Sequence, residues 1–195
     1  LMELAAIKDF DDYTYAHCTN VCVYALTLGV RLGLDRSRLS QLGMTALFHD
    51  IGKPATRQFG PGGVSFHHHE VVGARMTRDR MRALRYSKQM VRDVSQLVFL
   101  HMRAHTFKMG WTDSAVRRYV RDAGPLLDDL NQLVRCDVTT RNKARAREIQ
   151  ERRRLIAYER ARQTALDQLS SAQITMLVVD AGTGQNALAQ ATQNS

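Results

Sequence analysis

Residues 39–53 read LSQLGMTALFHDIGK. Leu39, Leu42, Met44, Leu47 and Phe48 keep helical spacing and run straight into His49–Asp50, after which Gly52 and Pro54 break the pattern. The spacing predicts a helix over Arg38–Asp50 that ends on two adjacent metal-type ligands. Neighbours on a helix project about 100° apart. They can therefore share an ion only if it lies near the helix end, between the two side chains. Gly52 would then turn the backbone away and leave room for a substrate.

Working outward, single ligand-type residues recur at wide intervals: His17, His69, His101 and Asp137. Helices are expected over Tyr15–Gly33, His67–Arg85, Ser87–His105, Ser114–Asp122 (capped by Thr112 and Asp113) and Leu126–Thr140, with a short lead-in helix at 3–8. Residues 55–64 read as a loop with a tight turn at Gly60-Pro61-Gly62-Gly63, and Phe107–Trp111 as another loop. There is no internal repeat and no sustained strand alternation. The expected class is all-α, a helical bundle around a metal pocket, with the ligands delivered by separate helices.

A lone helical histidine is ordinarily packing or surface, and an adjacent His–Asp pair is common by chance. The informative feature is their combination at the end of an apolar helix, with a helical His upstream and a helical Asp downstream. Imidazole and carboxylate together suit borderline divalent metals. Asp50, with two oxygens to offer, is the natural bridge between two ions. Such ions supply Lewis acidity and an activated water for attack at phosphorus. Lys53 stands one helical turn from His49, placed to hold a phosphate oxygen as a point charge. His105, one turn beyond His101, is a candidate proton donor to the leaving oxygen.

The length of 195 residues fits one domain with an appended arm, and the net charge is +9. The expected division is 1–140 for the metal domain, 141–170 for a basic helical arm and 171–195 for a poorly ordered tail. An opening Leu1 suits a piece of a longer protein. No apolar run is long enough to span a bilayer, so no membrane partner is expected. Three cysteines suit a reducing, cytoplasmic setting, with Cys18 and Cys22 read as packing. Arginine peaks between Arg141 and Arg162, a long polar helix is expected from Asn142 to about Leu169, and this charge favours a polyanion. Arg141, Lys143, Arg145 and Arg147 are the candidate nucleic-acid contacts, although acids such as Glu148, Glu151 and Glu159 are interleaved among them.

These residues resemble the HD superfamily of metal-dependent phosphohydrolases. His17 matches its first ligand, His49–Asp50 its doublet and Asp137 its last ligand. His69, in HEVVGA, and His101, in FLHMRAH, match the two further histidines of its two-metal members. Residues 49–142 are similar to the HD region of bacterial CCA-adding tRNA nucleotidyltransferases, through HDIGKPATR, GGVSFHHHEVVGA and DVTTRNKARA. The first fifty residues, through DYTYAHCTNVCVYALTLGVRLGL, resemble HD-GYP cyclic-di-GMP phosphodiesterases. No Gly-Tyr-Pro motif follows His101, and no nucleotidyltransferase head is present. The resemblance implies that His17, His49, Asp50 and Asp137 hold one ion, while His69 and His101 share Asp50 to hold a second where one is present. Mn, Ni, Co, Fe or Mg would serve, as one ion or two. It also implies hydrolysis of a phosphoester on a nucleotide or RNA 3′ end, such as a 2′,3′-cyclic phosphate, in tRNA processing. One alternative is a non-catalytic tRNA-binding body that partners a nucleotidyltransferase domain; another is a cyclic-di-GMP phosphodiesterase.

Overall fold

The computed structural model describes residues 12–106, 112–137, 147, 151–152 and 154–168. Helix α1 (Asp12–Arg31) turns Thr14, Cys18, Val21, Cys22 and Ala25 inward, the stripe of an amphipathic helix. It closes on Gly33 at φ +69, a left-handed position that glycine takes without strain. There the Leu34 N–H reaches the Gly29 carbonyl and the Gly33 N–H reaches that of Val30, both at 3.0 Å. Asp35 caps α2 (Arg36–Phe48) by accepting from the Arg38 N–H at 2.9 Å.

The chain continues through α3 (Lys53–Thr56) and the strands β1 (Gln58–Gly60) and β2 (Gly63–Ser65). Next come α4 (His69–Ala83), α5 (Lys88–Leu100), a 3-10 turn (His101–Thr106) and α6 (Asp113–Ala123). A second 3-10 turn (Gly124–Leu126) leads into α7 (Leu127–Asp137). Ser87 and Thr112 cap α5 and α6 by accepting from Met90 and Ala115. The class is all-α, with one small hairpin among the described residues.

Helix α2 lies between two apolar clusters. Val21, Cys22 and Ala25 of α1 and Leu133 and Cys136 of α7 meet Leu42 and Ala46 in one. The other joins Phe48 and Ile51 to Ala74 and Met81 of α4 and to Val91, Val94 and Val98 of α5. Burial on both sides fixes the direction of α2, and so the position of whatever follows its last turn.

Several boundaries differ from the sequence expectation, each for a local reason. Helix α2 stops at Phe48. His49 keeps helical angles as its cap, and two overlapping tight turns follow, one from Phe48 closed by Ile51 N–H to Phe48 O (3.1 Å) and one from Asp50 closed by Lys53 N–H to Asp50 O (3.0 Å). Pro54, expected to end a helix, instead sits in the first turn of α3, where its missing N–H leaves no bond unmade. The expected loop 55–64 contains an antiparallel pair with Phe59 opposite Val64. Helix α4 begins at His69 because His68 is left-handed (φ 62). After Leu100 the chain winds as a tighter 3-10 turn, not as continued α-helix.

The residues group into two compact units, Leu1–Ile149 and Gln150–Ser195. In the second, residues 154–168 are helical. Arg162 forms a two-pronged pair with Glu159 (3.0 and 2.9 Å), so part of the basic charge there is neutralised locally. Among the described residues all three cysteines are free, and no helix is long and apolar enough to cross a membrane. The expected lead-in helix at 3–8, the loop at Phe107–Trp111 and the tail at 171–195 lie outside the described residues.

Candidate metal centre

His49 and Asp50 leave α2 at the boundary between its two apolar clusters, and both are almost wholly buried. From the first cluster, α1 brings His17 and α7 brings Asp137. His17 Nε2 lies 2.9 Å from Asp137 Oδ1 and 3.9 Å from Asp50 Oδ2. His49 Nε2 lies 3.3 Å from the same Asp50 oxygen and 3.5 Å from Asp137 Oδ1. From the second cluster, α4 brings His69 and the end of α5 brings His101. Their Nε2 atoms stand 3.2 and 3.8 Å from the other Asp50 oxygen, Oδ1. Asp50 is therefore shared, with one oxygen facing each half of the pocket.

Three of the four imidazoles are oriented by backbone. His49 Nδ1 meets the Ala46 carbonyl at 2.8 Å, His69 Nδ1 that of Phe66 at 2.8 Å, and His101 Nδ1 that of Val98 at 2.6 Å. Each contact spans three residues. A carbonyl can only accept, so Nδ1 carries a hydrogen and each ring turns its Nε2 to the pocket, as a bare lone pair whenever the ring is neutral. The buried Nε2 atoms of His49 and His69 find no hydrogen-bond partner there. Orphaned buried nitrogens are costly unless a cation uses them. Two triads, His17–His49–Asp50 and Asp50–His69–His101, each bring one ligand atom per residue within 4.8 Å of the others. The donor set and its orientation fit divalent metal.

Electrostatics agree with a pocket built for positive charge. Burial disfavours a charged His49, yet Asp50 and Asp137 outweigh it and push its pKa up to about 10. Burial also opposes ionisation of Asp50, but the surrounding histidines, His49 foremost, hold its carboxyl well below the usual range. His101 is pushed down, chiefly by burial. Without a metal, a proton on His49 supplies the charge the carboxylates demand. The buried Cys18 thiol, next to His17, is pushed up to about 12 by burial first and then by Asp50.

Lys53 does not point free into the cavity: its Nζ lies 2.6 Å from Asp50 Oδ2. Burial opposes its charge, but Asp50 outweighs this and raises its pKa. Gly52 has a different task from the one expected. A Cβ there would strike the carbonyl oxygen of His69 and come within 2.7 Å of the Gly73 nitrogen. Its lack of a side chain lets α4 approach the His49–Asp50 turn. A cavity of about 470 Å³ opens from the site, lined by Asp50, Lys53, Val64, Phe66, His67 and His68 among others. Tyr13, whose ring stacks parallel to His17 at 6.2 Å, went unnoticed in the sequence, as did the three orienting carbonyls. The last turn of a helix leaves carbonyls such as those of Ala46 and Val98 without helical partners, but no sequence pattern says which ring takes them, and Phe66 precedes its helix. The side chain of His105 lies outside the described residues, as do Arg141, Lys143 and Arg145. Arg147 is described and exposed.

A family model for the HD domain matches residues 14–158. The chain is similar to the CC-adding tRNA nucleotidyltransferase of Thermus thermophilus, 38% identical over 96 residues, which is 48% of this chain and 21% of that protein. It is also similar to the A-adding tRNA nucleotidyltransferase of Deinococcus radiodurans, 35% identical over 98 residues (49% and 22% of the two chains). A cyclic di-GMP phosphodiesterase of Pseudomonas aeruginosa is 38% identical over 55 residues (28% and 13%). The match thus spans about a fifth of either nucleotidyltransferase. Both narrower resemblances in the sequence have their counterparts among these relatives.

Proposed function

The chain belongs to the HD domain family, most of whose members are metal-dependent phosphohydrolases, and from that premise we propose that it hydrolyses a phosphoester on a nucleotide or an RNA 3′ end, a 2′,3′-cyclic phosphate or a phosphomonoester. The observation that carries this reading is the shared carboxylate. Asp50 turns one oxygen to His17 and His49 and the other to His69 and His101, and three of these rings have their Nδ1 committed to backbone. His17, His49, Asp50 and Asp137 would hold one ion, and Asp50, His69 and His101 a second. Mixed nitrogen and oxygen ligation suits Mn, Fe, Co, Ni or Mg more than a closed tetrahedral zinc site. When bound, such ions supply Lewis acidity and an activated water.

The chain's own residues do the rest. Asp50 fixes the spacing of the two halves. Lys53, already at the carboxylate, is within reach of a phosphate oxygen entering the cavity. His105 is proposed to protonate the leaving oxygen, and Arg141, Lys143, Arg145 and Arg147 to hold the RNA backbone. The named relatives motivate the tRNA end as substrate class.

A second reading is favoured by the relatives themselves, two of which are named for adding nucleotides rather than for hydrolysis. In it the chain is an RNA-holding body that works beside a nucleotidyltransferase domain, with a metal pocket that only stabilises the fold. Turnover of 2′,3′-cyclic AMP by metal-loaded protein, compared with Asp50→Asn, separates the two. The hydrolase reading expects metal-dependent turnover that Asp50→Asn abolishes with the helical signal intact. Absence of turnover in folded, metal-loaded protein that still binds tRNA favours the second.

A further inference from the structure

Between Asp50 and Glu70 the sequence carries no carboxylate, while Lys53, Arg57 and three histidines fall in that stretch. At its centre stands the β1–β2 hairpin, whose Phe59 is 78% exposed. A single exposed apolar ring is ordinary. This one lies against a cation, with the Arg57 guanidinium carbon 4.9 Å from its centroid, the geometry of a cation–π pair. Phe59 is also directly opposite Val64 in the antiparallel register. Opposed residues project to the same face, about 5 Å apart. Val64, itself 46% exposed, lines the cavity at the metal centre. The exposed ring is thus one cross-strand step from the cavity wall, on an arm free of negative charge.

We propose that Phe59, backed by Arg57 and flanked by Val64, is a stacking platform for a nucleobase of a single-stranded RNA end whose terminal phosphate enters the metal pocket. The occupant follows from the chemistry. A flat aromatic surface with a guanidinium behind it receives the π face of any base, and the cationic stretch around it suits the backbone of the same strand. Stacking of this kind is tolerant of sequence, so the arm selects a nucleotide over a bare phosphoester without selecting which nucleotide. The proposal rests on the phosphohydrolase reading for the position of the phosphate, but base stacking is measurable without turnover.

The test is fluorescence anisotropy of the full chain with a labelled single-stranded RNA hexamer ending in a 3′-phosphorothioate, a slowly cleaved stand-in for the terminal phosphate, and with the same hexamer made abasic at its terminal nucleotide. Phe59→Ala should weaken binding of the intact hexamer about tenfold, equivalent to about 1.4 kcal/mol, and leave the abasic one unchanged. Phe59→Trp should restore the loss. Equal affinities of the natural chain for the two hexamers, or a Phe59→Ala variant that weakens both alike or neither, would overturn the platform. A base-selective loss in a chain without turnover would keep the platform and remove the hydrolase reading. Turnover together with base-blind binding would do the reverse.

Discussion

The two halves of the pocket reach the same carboxylate by different means. On the α4–α5 side, His69 and His101 are each fixed by a backbone carbonyl, and their side chains are 6% and 2% exposed. On the α1–α7 side, His17 is 22% exposed, and its orientation comes from Asp137 on one edge and the ring of Tyr13 on its face. One half is set wholly by carbonyls close in sequence, whereas the other adds to the carbonyl-held His49 a His17–Asp137 pair between helices far apart in sequence. The carbonyl-locked half is expected to hold the same geometry with and without an ion. The mutually held half is where occupancy and rearrangement should be most sensitive.

The largest expected effect comes from removing what the halves share. Asp50→Ala should abolish metal uptake on both sides and turnover with it, read by elemental analysis and hydrolysis of a cyclic nucleotide. Next is Gly52→Ala, which forces the His49–Asp50 turn and α4 apart. Overpacking against backbone should cost about 3 kcal/mol, seen as a lower denaturation midpoint, and should displace His69, so bound metal falls as well. A smaller change separates the halves. His69→Ala should leave one ion of two and weaken the site by more than the 10- to 100-fold typical of losing an outer partner. His17→Ala should instead spare the ion on the α4–α5 side. Equal losses from both variants would show that the halves do not act separately.

Acidity should sharpen the same contrast. His49 has its pKa raised from 6.5 to about 10. In the metal-free chain its contribution to stability is fully present below about pH 6.5 and is lost as pH rises through 10. Metal must displace that proton. Uptake should therefore release protons at pH 7, measurable as a buffer-dependent heat, and affinity should weaken as pH falls. The smallest effect is at the rim. Tyr13→Ala removes a stack on an exposed face and should change stability by less than about 1 kcal/mol, while loosening metal on the α1–α7 side only.

How much of this was legible depended on range. The helix leading to His49–Asp50 could be read because its apolar residues repeat locally. That His17, His69, His101 and Asp137 meet it was suggested by their residue types and helical setting together with the HD-superfamily resemblance. The end of α2 at Phe48 was missed, because helical spacing continues into His49 and nothing in a one-dimensional pattern shows its ring taking the Ala46 carbonyl. Strands of three residues are too short for alternation to register, so only the turn between β1 and β2 could be seen. Gly52 was misread for a related reason. It invites a reading of local flexibility, whereas its constraint comes from His69 and Gly73, which approach it from another helix. The Lys53–Asp50 pair was not drawn from the sequence, which set Lys53 against a phosphate oxygen instead.

The most direct measurement is the metal-to-protein ratio after equilibrium dialysis against Mn²⁺, for the natural chain and for Asp50→Ala. Two ions per chain in the first and none in the second is the result expected of two half-sites joined through one carboxylate. No bound metal in a folded sample, or two ions that survive the loss of Asp50, would contradict it.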